Sequence, residues 1–322
     1  MKKKLSILFL VVINWLPVQG QAYKNSIRLD TEEDIIYELC YTSHGGALAL
    51  GDGELIKVFA SPGYQLIKEL DEGHSGTILT LDISQDSTLL TSGGTDSTIV
   101  IWDILSGEII RKLTYHKGAV TSVRISPDAK YILSGGADGR VNLYDLTEDS
   151  LVTSILAHKY EVTTVAFHPD GKRYASAGGD GNINIYSIKN TIPDTVLMDH
   201  HDWIRKIEFN DTGDRMISCG DDKSLILWNL SGTSNIKPLK KISPSIGWLL
   251  TADFHPDNVT YILGSLNGTI LLVGYYGSFE TKIKKPVQCV KINPGSKSLV
   301  VIAVATRGSG VHIINARSMD KK

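Results

Sequence analysis

The chain has 322 residues, 42% hydrophobic and 21% charged, with 33 Lys and Arg against 35 Asp and Glu for a formal net charge of −2. That length permits one or two domains, and the charge balance excludes the strongly cationic surface that a nucleic-acid-binding chain presents. Three cysteines, Cys40, Cys219 and Cys289, leave at least one thiol unpaired within a monomer.

Lys2, Lys3 and Lys4 precede an apolar run from Leu5 to Leu16, broken only by Ser6 and Asn14, and Pro17 and small residues near Gly20 and Ala22 follow. These three regions predict a secretory signal peptide over residues 1–20, with cleavage after Gly20 or as late as Ala22. An apolar run this short does not reach the roughly 20 residues needed to cross a bilayer. No transmembrane span is therefore expected in the mature chain, which would be exported and carry 30 basic against 35 acidic residues. The first cysteine after the cleavage points is Cys40, too late to carry a lipid anchor.

Tyr23 to Leu29 is a strand-length segment standing alone. Ile36, Leu39 and Tyr41 then mark a strand, followed by Ala47 to Leu50, Leu55 to Phe59 and Tyr64 to Leu70, with Gly45-Gly46 and Gly51-Asp52-Gly53 as turns. From His74 a quartet of residue types returns four times: His74, Ser92, Asp96 and Trp102; His116, Ser134, Asp138 and Tyr144; His158, Ser176, Asp180 and Tyr186; His200, Ser218, Asp222 and Trp228. Each quartet starts 42 residues after the last, a period that signals a repeat architecture. A ring nitrogen, a hydroxyl, a carboxylate and an aromatic N–H or O–H can close a hydrogen-bond chain that satisfies itself when buried. Between the quartet residues the apolar positions alternate as strands demand, as in Val120, Val123 and Ile125. Ser126-Pro127-Asp128 and His168-Pro169-Asp170-Gly171 supply hairpins.

With Gly73-His74 opening the first quartet and Trp102-Asp103 closing it, the unit resembles the WD repeat of β-propellers, in a bacterial-type exported form. The glycine is replaced by Tyr115, Ala157 and Asp199 in later units, and the closing pair becomes Tyr144-Asp145, Tyr186-Ser187 and Trp228-Asn229. The resemblance implies that the quartets are structural tetrads. About 300 mature residues divided by 42 gives seven units, so residues 21–322 are expected to form one all-β, seven-bladed propeller of four-stranded antiparallel blades. Blade one lacks the tetrad, with Glu32 and Phe59 at the histidine and aromatic positions, so packing alone should hold it. Ser231 to Lys240 reads as a long polar connection. Blade six resumes at Trp248 and has Ser245 and Val273 at tetrad positions. Blade seven runs from Val287 to Ile292, Leu299 to Val304 and Val311 to Ile314, one strand short. As in WD-repeat propellers generally, an N-terminal strand, Ser26 to Leu29, is expected to complete it beside Val311 to Ile314. Cys40 and Cys289 fall on the inner strands of the two blades that meet at closure, which leaves a disulfide or two buried thiols open.

Four sets of Ser, His and Asp invite a hydrolase reading, but catalysis needs one activated nucleophile with an oxyanion site in a cleft, and these sets recur in each regular blade. His200-His201-Asp202 is dense enough to suggest a metal, yet neighbouring residues on a strand point to opposite faces. His168 and His255, in hairpins, are expected to face solvent. No enzyme, cofactor or metal is expected. In WD-repeat propellers the residues three and five places after the tetrad histidine approach the narrow face. Here they include Glu161, Trp203 and, by extrapolated register, Trp248; then Leu79, Thr121, Thr163, Arg205, Leu250 and Tyr37. The residue before each tetrad aspartate adds Asp221. Trp203, Arg205 and Trp248, with Glu161, Asp221 and Tyr37, therefore form the candidate partner-binding site. The expected function is a non-catalytic protein–protein interaction scaffold, periplasmic or envelope-associated if bacterial and otherwise secreted, with one or more protein partners and no nucleic acid. The alternative is a small molecule or glycan bound at the rim or central channel.

Overall fold

A computed structural model describes residues 26–33, 35–231, 236–274, 277–295 and 299–317; the signal-peptide reading of residues 1–20 falls outside them. The described residues form seven four-stranded antiparallel sheets, six of them built from strands consecutive in sequence. The inner strands are Leu39–Tyr41, Ile78–Ile83, Val120–Ile125, Val162–Phe167, Ile204–Phe209, Leu249–Phe254 and Val287–Ile292. The seventh sheet takes its outer strand, Ile27–Arg28, from the start of the chain. Ile27 pairs with Ile313 and Arg28 with His312, and the Leu29 amide donates to Val311 O at 2.9 Å. The closure expected from the missing strand is therefore present.

The core is divided into seven layers, one between each pair of neighbouring blades. Leu133, Val141 and Leu143 of blade three meet Val162, Val165, Tyr174 and Tyr186 of blade four. Leu29, Ile36 and Leu39 meet Cys289, Ala303, Val311 and Ile313 where the ring closes. Blades approach each other closely at positions that tolerate no side chain: a Cβ on Gly135 would lie 2.4 Å from Val162 Cγ1. Gly93 and Gly264 meet Val120 and Val287 in the same way.

Three expectations need correction. Residues 237–242 are the outer strand of blade five rather than a connection, because Lys237–Ile242 pairs with Leu225–Asn229 and so completes that sheet. Blade one is not held by packing alone: Asp52, almost fully buried, accepts the amides of Glu32 and Glu33 at 2.8 Å each and pairs with Lys57 Nζ at 2.8 Å. That carboxylate anchors the loop entering the blade, as a tetrad aspartate does elsewhere. His168 does not face solvent; it is buried, bonds Gly213 O of the next blade through Nε2 at 2.9 Å, and sits edge-on to Phe209.

Candidate interaction surface

The tetrads fix the register from which the surface is read. In blade two, His74 Nδ1 lies 3.0 Å from Asp96 Oδ2, its Nε2 lies 2.7 Å from Ser92 Oγ, and Trp102 Nε1 donates to the same oxygen at 3.0 Å. Blade five repeats this with His200, Asp222, Ser218 and Trp228 at 2.9, 2.7 and 2.9 Å. A carboxylate only accepts, so Nδ1 carries the proton, and Nε2 accepts from the serine. Burial pushes His74 and His116 below the usual histidine value despite the neighbouring aspartates, which suits a neutral ring. Burial works against the charge of Asp138, Asp180 and Asp222 as well, but backbone amides and the histidines hold these carboxyls below their usual range. In blade two, Asp96 takes the Ser75 and Thr98 amides at 2.9 and 3.1 Å, tying two turns at one face of the ring.

Blade three departs from this closed chain. His116 bonds Asp138 and Ser134, but the Tyr144 hydroxyl turns to Asp149, and Asn142 Nδ2 fills in beside His116 Nε2 at 3.1 Å. His158 bonds Asp180 and Ser176 at 2.9 and 2.8 Å, with the Tyr186 hydroxyl interacting with Asn184 and Ser176. The four serines are buried, with their oxygens engaged by the histidines, so none is offered to a substrate. His200 is buried in its tetrad while His201 is exposed, so the two do not converge on a metal.

One backbone bond recurs on the narrow face. Thr95 donates to Thr77 O, Ala137 to Ala119 O, Gly179 to Glu161 O, Asp221 to Trp203 O, Leu266 to Trp248 O and Arg307 to Pro286 O. This carries the rim register into blades six and seven, which lack the tetrad. Tyr37, Glu161, Arg205 and Trp248 come together around a cavity of about 420 Å³ at the channel mouth, with Leu79, Thr121, Thr163 and Leu250 also in its wall. Trp203 stands outside that wall. Its ring lies over Gly179 of the preceding blade, where a Cβ would be 2.8 Å away, and it carries the Arg205 guanidinium 5.0 Å from the ring centre. Arg205 is also paired with Asp221, Nε to Oδ1 at 2.9 Å, and this bond raises its pKa. Thus Trp203, Arg205 and Asp221 form a self-contained brace across blades four and five, while Trp248 remains 44% exposed.

Sequence reasoning missed Leu266, Gln288 and Arg307, which complete the cavity wall. Leu266 holds the position of Asp221 and Arg307 that of Leu266 one blade on, but the lost tetrads removed the landmarks by which to count. It also missed the charges filling the channel below. Glu38 of blade one reaches Lys206 of blade five at 3.3 Å, Arg124 of blade three at 3.8 Å and Cys289 Sγ of blade seven at 3.6 Å. Lys291 bonds Asp253 at 2.8 Å and faces Glu208 as a looser ion pair at 3.7 Å. Burial opposes the charge on Glu38, yet Lys206, Arg124 and Lys291 bring its pKa down. Glu38 lines both the mouth cavity and a second one of about 730 Å³ at the opposite end. Cys40, Cys219 and Cys289 are free and buried, and burial raises Cys219 and Cys289 to about 12.

Comparison with known proteins adds the family. The family model described as nucleolar protein 10-like, N-terminal domain, matches residues 74–249, more than half of the chain. The U5 small nuclear ribonucleoprotein 40 kDa protein of Dictyostelium discoideum is 36% identical over 86 residues, 25% of this chain and 23% of the relative. Eukaryotic translation initiation factor 3 subunit I is 46% identical over 41 residues in Schizosaccharomyces pombe, 13% of this chain and 12% of the relative. In Neurospora crassa it is 32% identical over 87 residues, 26% and 25%. The chain thus spans a quarter or less of the length of these curated relatives. These names overturn the expectation of an exported, periplasmic, envelope-associated or secreted protein: they denote nuclear, nucleolar and translation-initiation proteins of eukaryotes, which are intracellular. No helix among the described residues is long and apolar enough to cross a membrane. With its seven blades and its recurring His, Ser, Asp and aromatic sets, the chain is a WD-repeat propeller and belongs to the nucleolar protein 10-like N-terminal domain family.

Proposed function

We propose that this propeller is a non-catalytic scaffold that docks protein partners on its narrow face, as a single domain. Trp248 is the exposed anchor, Tyr37 and Glu161 share its cavity, and Arg205 braced by Trp203 and Asp221 forms the neighbouring wall. The observation that carries this reading is Trp248 itself. It is 44% exposed beside a cavity, whereas Trp102 and Trp228 are buried in tetrads and Trp203 is covered by Arg205 and Gly179. Tryptophans of this kind concentrate binding energy at interfaces. The relatives support it, being by name a ribonucleoprotein component and subunits of an initiation factor. The buried, mutually bonded serines of the tetrads support a structural rather than catalytic use of those residues.

The test is affinity capture from extracts of the native cells with wild-type protein and with Trp248→Ala and Trp203→Ala variants of matched melting temperature. The reading expects at least one polypeptide to be lost with Trp248→Ala. Recovery of the same polypeptides with all three baits would overturn it.

A further inference from the structure

The charge around the ring is divided, and the division says what kind of partner the narrow face can hold. Residues 26–230 carry 17 Lys and Arg against 31 Asp and Glu, a net −14, whereas residues 231–317 carry 10 against 3, a net +7. The three acids of the second segment all lie away from the narrow face. Asp253 points into the opposite cavity and bonds Lys291 and the Ile292 amide. Asp257 caps the hairpin at the far end of the inner strand, taking the Val259 and Thr260 amides. Glu280 sits mid-way along the outer strand Gly277–Lys282.

The narrow-face turns of blades six and seven, residues 243–248, 266–268, 283–286 and 307–309, therefore contain no acid and hold Lys284, Lys285 and Arg307. Lys285 and Arg307 lie together, with Lys284 beside them in the chain. The Lys285 ammonium lies over Gly308, 3.3 Å from where its Cβ would be, and the Arg307 amide donates to Pro286 O at 2.9 Å. Arg307 in turn lines the mouth cavity with Trp248 and Leu266. All three cations are exposed, and the described residues put no carboxylate within ion-pair distance of them. Blades four and five differ, since Arg205 is neutralised by Asp221, and Asp199 and Asp202 are exposed nearby.

We propose that the narrow face, used as a docking platform as argued above, takes an acidic peptide segment. A bulky apolar side chain of the segment enters the cavity against Trp248 and Leu266, and its carboxylates lie along Arg307, Lys285 and Lys284. Opposite potentials steer and orient such a segment, and the acidic blades on the other side fix its direction by repulsion. The exposed Asp71, Glu72, Asp199 and Asp202 of the neighbouring turns disfavour a longer nucleic-acid strand, whose phosphates are continuous.

The test is fluorescence anisotropy with the labelled peptide Glu-Glu-Asp-Phe-Glu-Glu, its Phe-to-Ser and all-Lys counterparts, and an oligothymidylate of similar charge. Saturable binding of the Phe peptide is expected, weakened about tenfold or more by Trp248→Ala and by the charge reversals Lys285→Glu and Arg307→Glu. The Ser and Lys peptides should bind more weakly by a similar factor. The surface reversals leave the fold intact, which a thermal melt checks. No binding of the Phe peptide up to about 1 mM, or binding indifferent to the reversals, overturns the inference. If native partners are nonetheless lost with Trp248→Ala, the docking platform stands and only the acidic partner falls. Oligothymidylate bound as tightly through the same residues would identify a nucleic acid instead.

Discussion

A tetrad histidine does two jobs with one ring, and both can be removed by one substitution. His158→Ala would leave the Asp180 carboxylate and the Ser176 hydroxyl each without a bond of 2.9 or 2.8 Å. An unsatisfied buried group costs about 1–3 kcal/mol, so the variant should lose about 3 kcal/mol of stability, read from urea unfolding, while the folded fraction keeps its partner binding. The depressed values of His74 and His116 make a related pH prediction. Below the unfolded histidine value of 6.5 the unfolded chain binds protons that the folded rings refuse, so stability falls as pH drops through that window. The lowered Asp138, Asp180 and Asp222 extend the loss at still lower pH, below their ordinary value of 3.8, as acid protonates them in the folded state. Melting temperatures at pH 7.5, 6 and 5 should decline; a flat profile would contradict neutral buried rings.

At the scale of elements, the 42-residue period made blades two to five legible, because a histidine, a serine and an aspartate must meet at similar distances in each. Where the tetrad is gone the sequence lost its ruler. Ser231 to Lys240 reads as a polar linker because it runs into an outer strand, Lys237–Ile242, with five of its six residues exposed and no alternation to see. Blade one hid its substitute brace, since Asp52 and Lys57 look like surface charges until their burial is known. The N-terminal strand was inferred from a shortage, one strand missing from blade seven. Removing residues 26–29 would unpair Ile313 and His312 and withdraw Leu29 from the layer between blades seven and one. The melting temperature should then fall by several degrees, whereas an unchanged melt would mean that the ring closes without it.

For the whole molecule, the seven core layers are local to adjacent blades, but the channel charges span the ring. Glu38 reaches from blade one to residues of blades three, five and seven. Such contacts cannot be foreseen from a repeat, since Glu38, Lys206 and Cys289 stand where Thr80, Ser122, Thr164 and Thr251 hold a Ser or Thr, and Arg124, Glu208, Asp253 and Lys291 lie two residues further on, where the residue type changes from blade to blade. Glu38→Gln keeps the shape but leaves Lys206 and Arg124 poorly compensated, and breaking a buried pair costs about 3–5 kcal/mol. Glu38→Gln with Lys206→Met should recover part of that loss in urea unfolding; simple additivity would mean that the two are not coupled. The candidate surface was half legible: Trp248, Tyr37, Glu161 and Arg205 followed from counting, and Leu266 and Arg307 did not, because they lie where the count had no landmark. The most direct test of the docking platform is photo-crosslinking in native cells from a reactive residue substituted at Leu266 on the narrow face, with one at Gln85 on the opposite end as comparison. Discrete crosslinks to partner polypeptides from position 266 and none from position 85 are predicted; crosslinks from position 85 alone would contradict the account.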